Sequence, residues 1–256
     1  MTIEERYSQQ FGKWHAVLEQ RAARVFYKVL KQSVTPVIET LDINNLKRGL
    51  WRQAYYDVYT QIGKYIRLRE SKWLRRNQKA LGVGFGIDEA FNMRMAAYAI
   101  LTGNELEGFL DETTLEKVQK ALQEASLNGY TQRQTARLIY DYTLGVVGRD
   151  RAMLIGRTET TGAINYAKLE TGRDYLKEIG ASDNGYKVWI NRDDGKVRPT
   201  HVEAGDTGVP FESDFTVGGE NGGFPGDRRF SAKERVRCRC TFLTMSEAVY
   251  RRRFAK

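Results

Sequence analysis

The sequence is poor in cysteine and histidine and has no long apolar run, and each shortage excludes a class of protein. Its 256 residues include only two cysteines, Cys238 and Cys240, and two histidines, His15 and His201. Two nearly adjacent cysteines cannot build a disulfide scaffold. No stretch reaches the 18 apolar residues of a membrane span, and the start, Met-Thr-Ile-Glu-Glu-Arg, lacks the basic and apolar regions of a signal peptide. We therefore expect a globular protein with reduced thiols.

Proline is also scarce, and its distribution divides the chain. None occurs between Pro36 and Pro199, so this interval can be helical throughout. The last three prolines fall in a glycine-rich stretch typical of turns and short strands. The sequence therefore predicts an α+β fold, in which long N-terminal helices and a helical bundle precede a small C-terminal domain containing a β-hairpin.

This change in proline and glycine content predicts an order of segments along the chain. The glycines at 82–86 interrupt the helical pattern, and we interpret them as a hinge. The predicted segments are a basic helical arm at 1–82, a helical linker at 87–129, a domain at 130–245 and a basic helix at 246–256.

Helix starts and strands are predicted from local signals. Thr113 or Thr114 and Asp150 are candidate N-caps, and Thr131 followed by Gln134 forms a capping-box pattern. An aromatic stripe from Trp51 to Trp73 at helical spacing indicates a core face. Strands are predicted at 186–191, 209–212 and 237–243, and the Asp194-Gly195 turn predicts a hairpin from the first of these into residues 196–198.

Positive charge is concentrated near the N-terminus. The formal net charge is +9; residues 1–80 carry a net +9 and residues 81–150 a net −4. The cations of the second predicted helix that we consider for contact are Lys64, Arg67, Lys72, Arg75, Arg76 and Lys79. Such a run is typical of a solvated helix face. The alternative is a face that contacts nucleic-acid phosphates or an acidic protein surface.

Polar residues recur on one face of a later predicted helix. Arg157, Thr161 and Asn165 are four residues apart, between apolar neighbours. Polar groups on a packed face need partners. We interpret this face as a structural network that docks the helix on the β-rich segment. A catalytic role would require a nucleophile or base with a perturbed pKa, which periodicity does not indicate.

The Cys-x-Cys pair and His201 allow two interpretations. Cys238, Cys240, His201 and a nearby aspartate form a possible tetrahedral zinc set, since side chains two residues apart on a strand point to the same face. The alternative, which we favour, is a pair of buried thiols beside a hydrogen-bonded histidine, with no cofactor.

A set of residues in the C-terminal half occurs in a recognisable order. They are Arg157, Glu159, Asn165, Trp189, Asp194, Arg198, His201 and Gly205, followed by Cys238-Arg239-Cys240. This set resembles the phage Mu F-like head morphogenesis family over roughly residues 130–243. One position differs: where the family carries His-Pro-Asn before its Cys-Arg-Cys, this chain has Arg235, Val236 and Arg237, so a second potential metal-binding histidine is absent.

The resemblance implies a minor head protein of a tailed phage, located in the virion interior and, during assembly, in the host cytoplasm. Its implied partner is the portal protein. We also expect capsid or scaffold proteins as partners and, from the basic residues of the second predicted helix, double-stranded DNA without sequence preference. The implied role is head assembly or DNA packaging and ejection, not catalysis. We expect a buried polar cluster of structural role, formed by Arg157, Glu159, Asp194, Arg198 and His201.

The alternative function is a metal-dependent hydrolase or nuclease built on His201, Asp194 and Glu159. One histidine and scattered carboxylates are a small supply of ligands and bases for such a site. The sequence also shows no helix-turn-helix, zinc-finger or RNA-binding signature, which disfavours specific readout of bases.

Overall fold

The computed structural model describes residues 2–78, 88–192 and 194–254, which form an α+β protein. The helices are α1 (Ile3–Thr40), α2 (Trp51–Gln78), α3 (Glu89–Leu127), α4 (Gln132–Thr143), α5 (Val146–Glu178), α6 (Pro199–Glu203), α7 (Ala232–Arg235) and α8 (Glu247–Arg253). The strands are β1 (Gly185–Ile190), β2 (Gly208–Pro210), β3 (Phe215–Val217), β4 (Glu220–Gly222) and β5 (Thr241–Ser246). The predicted class, with long helices first and a small region of strands last, is confirmed. None of the described helices is long and apolar enough to cross a membrane.

The chain divides into two compact units, and each combines separated stretches of sequence. Unit 1 comprises Met1–Leu18, Tyr59–Ala96 and Arg157–Lys256, and unit 2 comprises Glu19–Val58 and Ala97–Gly156. The predicted segments follow one another along the chain, whereas each unit takes residues from both halves. The predicted hinge at 82–86 lies outside the described residues, and the segment boundaries stay predictions.

Unit 2 is helical. Its helices pack through aromatic rings and, at Gly156, through a close approach of two backbones. Phe26 of α1 packs on Trp51 and Tyr55 of α2, with ring centroids 6.2 and 5.2 Å apart. A Cβ added to Gly156 of α5 would lie 2.8 Å from the backbone nitrogen of Ala23 in α1, so this approach requires glycine.

The predicted core stripe of α2 is buried at Trp51, Tyr55, Tyr59, Ile62 and Ile66, and Trp73 is partly buried.

The predicted helix caps differ in outcome. The capping box at the start of α4 is confirmed: the Thr131 hydroxyl accepts from the Gln134 N–H, and the Gln134 side chain accepts from the Thr131 N–H. The predicted start at Thr113 or Thr114 is wrong, because α3 continues through both residues and their hydroxyls donate to the Leu110 carbonyl. Asp150 is not an N-cap either, since α5 begins four residues earlier.

Unit 1 contains all the described strands. The antiparallel sheet has the order β2-β1-β5, so β1 is central and pairs with strands distant in sequence. Val188 and Ile190 of β1 pack with Leu243 and Met245 of β5 and with Tyr7 of α1. The sheet therefore covers the N-terminal part of α1.

The predicted hairpin at Asp194-Gly195 is wrong, because residues 196–198 form no strand. Asp194 instead makes a local turn, in which its carboxylate accepts from the Lys196 N–H at 3.1 Å. The two-stranded hairpin of this unit is β3-β4. It turns at Gly218 and Gly219, whose φ values of +58° and +82° fit a two-residue turn with both central residues left-handed.

Candidate metal centre and its polar network

The polar face of α5 docks on the segment that precedes β5. The Thr161 hydroxyl donates to the carbonyl of Cys238 and also contacts His15 Nε2 at 2.8 Å. The Asn165 amide donates to the carbonyls of Pro225 at 2.8 Å and Cys240 at 3.0 Å. Buried side chains of the helix thus satisfy carbonyls of two irregular stretches, around Pro225 and at residues 238–240, that have no strand partner to do so.

Lys168 extends this face by one more turn and is not among the residues predicted from the sequence. Its ammonium contacts the Thr241 hydroxyl and the Phe242 carbonyl, and it lies 4.5 Å from the centroid of the Tyr7 ring. Burial lowers the pKa of Lys168 to about 7, and the nearby Glu70 charge partly opposes that shift. Burial also raises the pKa of Glu70, whose carboxylate accepts from the Tyr7 hydroxyl at 2.6 Å. The signal was present in the spacing, because Lys168 follows Asn165 by three residues.

Glu159 is held between a tyrosine and an arginine. Its carboxylate accepts from the Tyr59 hydroxyl at 2.8 Å and from Arg235 Nη2 at 2.7 and 2.9 Å. Glu159 and Arg235 are both largely buried. Arg235 lies where the sequence departs from the pattern it resembles, and its pairing with Glu159 is not predicted from the sequence.

The other motif residues position the same segment. Arg198 donates to the carbonyls of Glu234 and Val236, and Asp194 pairs with Arg239. The Trp189 ring meets the His201 ring edge-on at 5.4 Å. A Cβ on Gly205 would lie 2.3 Å from the Asn191 amide nitrogen, so no larger residue fits unless that amide moves.

The expected buried cluster requires a correction. Glu159 and His201 are buried, but Arg157, Asp194 and Arg198 are only half-buried. These three residues lie at the edge of the network, where charged side chains gain access to solvent while their hydrogen-bonding groups stay engaged.

His201, Cys238 and Cys240 converge in the interior of unit 1. All three are buried, and their ligand atoms lie within 4.8 Å of one another. His201 Nδ1 is 3.7 Å from the Cys238 sulfur and 3.5 Å from the Cys240 sulfur. The hydrogen bond between the two thiols lowers the pKa of Cys240 and raises that of Cys238, while burial raises both.

The opposite nitrogen of His201 contacts the carboxylate of Glu234, which is not predicted from the sequence. His201 Nε2 lies 3.1 Å from Glu234 Oε2, and the Thr200 hydroxyl donates to the same oxygen at 2.8 Å. Glu234 is 1% exposed and belongs to the one-turn helix α7. No local signal points to it, because it is 33 residues from His201 in the sequence.

A cavity of about 420 Å³ opens beside the three residues and is strongly cationic. The charged side chains that line it are Arg157, Arg192, Lys196, Arg198, Arg237 and Arg239. Asp194 pairs with Arg239 at this site. Such a lining favours anions in the cavity and thiolate over thiol at its base.

The hydrolase constellation does not assemble in the described residues. The group of histidine, cysteine and acidic ligand atoms contains His201 but neither Asp194 nor Glu159. Glu159 is occupied by Tyr59 and Arg235, which leaves it poorly placed to accept a proton from a substrate.

The basic face of α2 also requires a correction. Lys64, Lys72, Arg75 and Arg76 are exposed, as expected for a solvated or binding face. Arg67 is 1% exposed and pairs with Asp174 at 2.7 Å, so it belongs to the interior and not to this face. Lys79 lies outside the described residues. We call the four exposed cations the α2 basic face.

No family model matches this chain, and no curated protein or solved structure matches it either.

Proposed function

We propose that this chain is a minor head protein of a tailed phage, located inside the head near the portal and acting in head assembly or DNA packaging and delivery. The observation that carries the proposal is that the motif residues resembling the Mu F-like family meet one short segment. Residues 234–240 receive contacts from Glu159, Asn165, Asp194, Arg198 and His201. The motif therefore specifies how this segment is held.

This arrangement supports a structural role better than a catalytic one. A catalytic motif aims polar groups at a substrate, whereas these groups are engaged with carbonyls, an arginine and a carboxylate of the same chain. Exposed cationic and apolar surfaces fit an assembly protein that binds other proteins. On unit 2, large apolar side chains are exposed at Phe109, Leu127 and Val146, and exposed apolar surface is typical of contact sites.

The α2 basic face is the surface we assign to the partner. Its four exposed cations complement an acidic portal or capsid surface, and inside a head they also lie near packaged DNA. Binding of duplex DNA through four phosphates would give a slope of about −4 in log affinity against log salt.

The experiment is affinity purification of tagged chain from infected cells, followed by mass spectrometry of the partners and of purified particles. We expect the portal protein among the main partners and the chain itself in the particles. The test variant is the triple change Lys72→Glu, Arg75→Glu and Arg76→Glu, which should weaken portal association.

A matched control carries the same charge change elsewhere. Arg21, Lys28 and Lys31 are exposed on α1, so their triple change to glutamate alters the net charge equally. Retention of the portal by the control, but not by the test variant, supports the α2 basic face. Gel retention of duplex DNA by both proteins decides whether the same face also binds DNA. Absence of the chain from purified particles would contradict the proposed function.

A further inference from the structure

We propose that His201 Nδ1 and the sulfurs of Cys238 and Cys240 bind a zinc ion, with the fourth coordination position facing the cationic cavity. The proposal stands on the site's own geometry and holds whether or not the chain is a head protein. It gives the Cys-x-Cys pair a role that its docking on α5 does not explain, because α5 holds the carbonyls of Cys238 and Cys240 and not their thiols.

The distances fit tetrahedral zinc. Zinc binds thiolate sulfur at about 2.3 Å and histidine nitrogen at about 2.0 Å, which places each sulfur about 3.5 Å from the nitrogen. The observed separations of 3.7 and 3.5 Å are close to this value. A hydrogen bond from one thiol to His201 accounts for one of these separations, whereas a shared metal ion accounts for both.

The orientation of His201 is that of a metal ligand with a carboxylate behind it. Glu234 accepts from Nε2, so the proton of a neutral imidazole lies on that nitrogen and the lone pair lies on Nδ1. Nδ1 is the nitrogen that faces both sulfurs. A histidine ligand typically donates its other N–H to a carboxylate, which fixes the ring and increases its basicity.

Hydrogen bonds from α5 fix the backbone at Cys238 and Cys240, and this backbone directs both thiols toward His201. Thr161 holds the carbonyl of Cys238 and Asn165 holds that of Cys240. Arg237, just before the pair, has a φ of +60°, a left-handed conformation that turns the chain sharply. Such strain in a non-glycine residue persists where the surrounding structure requires it.

Charge and ligand type select the metal. Two thiolates and one neutral imidazole balance a divalent ion, and soft sulfur ligands favour zinc over magnesium or calcium. Among the described residues, no fourth histidine, cysteine or acidic side chain joins the group. Since all three ligands line the cavity, we place the fourth ligand there, and the surrounding cations favour an anion such as hydroxide over neutral water.

The first test is zinc content of the full chain, purified without chelator and with any histidine tag removed. We expect one zinc ion per chain. Cys238→Ser and Cys240→Ser should each lose most of it. Glu234→Gln should keep the metal with an affinity about 10- to 100-fold lower, as removal of an outer carboxylate does. The control is Glu107→Gln, which changes a buried carboxylate of unit 2 in the same way and should retain full zinc.

Cobalt substitution keeps the test valid where a variant folds poorly. Cobalt-loaded wild type should show thiolate-to-cobalt charge-transfer absorption and the intense visible bands of a tetrahedral site. Folded wild-type protein that binds neither zinc nor cobalt would overturn the proposal. Azide added to the cobalt form should shift the visible bands, since it can enter the open position. Unchanged bands would show that the fourth position is closed, and would overturn that part of the proposal.

Discussion

The two units solve the same problem, the satisfaction of buried backbone groups, in different ways. Unit 2 is helical, so its backbone bonds lie within each helix and its interior needs few charged residues. Unit 1 contains irregular segments whose carbonyls have no ladder partner. Long polar side chains fill that need there: Lys187 donates to the Gly223 carbonyl at 2.6 Å, and Asn165, Lys168 and Arg198 do the same elsewhere.

The difference extends to burial of charge and exposure of apolar groups. Buried charged residues of unit 1 include Arg67, Glu70, Glu159, Lys168, Lys187 and Glu234. Unit 2 buries Glu19 and Glu107, while it exposes more large apolar side chains than unit 1 does. The motif that resembles a phage family thus lies in the unit that depends on specific polar pairs, and the exposed apolar surface lies mainly in the other.

The largest effect should come from breaking a buried pair in unit 1. Glu159→Ala removes the partner of Arg235 and of the Tyr59 hydroxyl, and leaves a largely buried guanidinium without its carboxylate. We expect the free energy of unfolding to fall by about 3–5 kcal/mol, measured by urea denaturation.

A surface pair of unit 2 provides the control for this experiment. Arg137 and Asp141 form an exposed pair on α4, and Arg137→Ala should change stability by less than about 1 kcal/mol. Equal losses for Glu159→Ala and Arg137→Ala would remove the contrast between the units.

In unit 2, the sensitive positions should be close helix contacts. Gly156→Ala places a methyl group 2.8 Å from the backbone of Ala23, and overpacking of this kind costs roughly 1–3 kcal/mol. Gly108→Ala is the matched control, because nothing lies within 4 Å of its added Cβ in α3. We expect a gain of about 0.5–1 kcal/mol there, from helix propensity. A gain at both positions in thermal or urea unfolding would show that the α1–α5 approach is not tight.

How far the sequence predicts this structure depends on how local each signal is. The capping box at Thr131 and the core stripe of α2 follow from neighbours along one helix, and both were predictable. The helix start predicted at Thr113 or Thr114 is wrong because the sequence does not distinguish an N-cap threonine from one inside a helix. Inside α3, both hydroxyls donate to the Leu110 carbonyl of the preceding turn. The hairpin predicted at Asp194-Gly195 is wrong because a local turn signal does not determine which distant strand pairs with β1.

The sequence predicts the three candidate ligands of the site but not the residues that position them. His201, Cys238 and Cys240 were identified by residue type and order. Glu234 was not, because a short helix far along the chain brings it to the imidazole. In the sequence, Arg235 is only a departure from a family pattern, whereas in the structure it forms the salt bridge with Glu159.

A smaller effect should appear as a pH dependence specific to unit 1. The pKa of Lys168 is about 7 in the folded chain and about 10.4 when unfolded. Between these values the unfolded chain binds a proton that the folded chain does not, so stability should rise with pH by up to about 1.4 kcal/mol per unit from this residue. Lys168→Met should have a flatter profile than wild type in urea titrations between pH 7 and 9.5. Parallel profiles would mean that Lys168 stays charged in the folded state.

The smallest effect should be the loss of the cap on α4. Even a helical unit has backbone N–H groups without partners at each helix start, and there unit 2 also needs a side chain. Thr131→Ala removes the hydroxyl that accepts from the Gln134 N–H, and should cost about 1 kcal/mol. Thr131→Ser keeps that hydroxyl and should stay within a few tenths of wild type. Because Thr131 is exposed, no core contact is lost with it. Amide hydrogen exchange of the first turn of α4 should therefore increase in the alanine variant while the rest of unit 2 keeps its protection. An alanine variant as stable as the serine one would show that this helix start is satisfied by water alone.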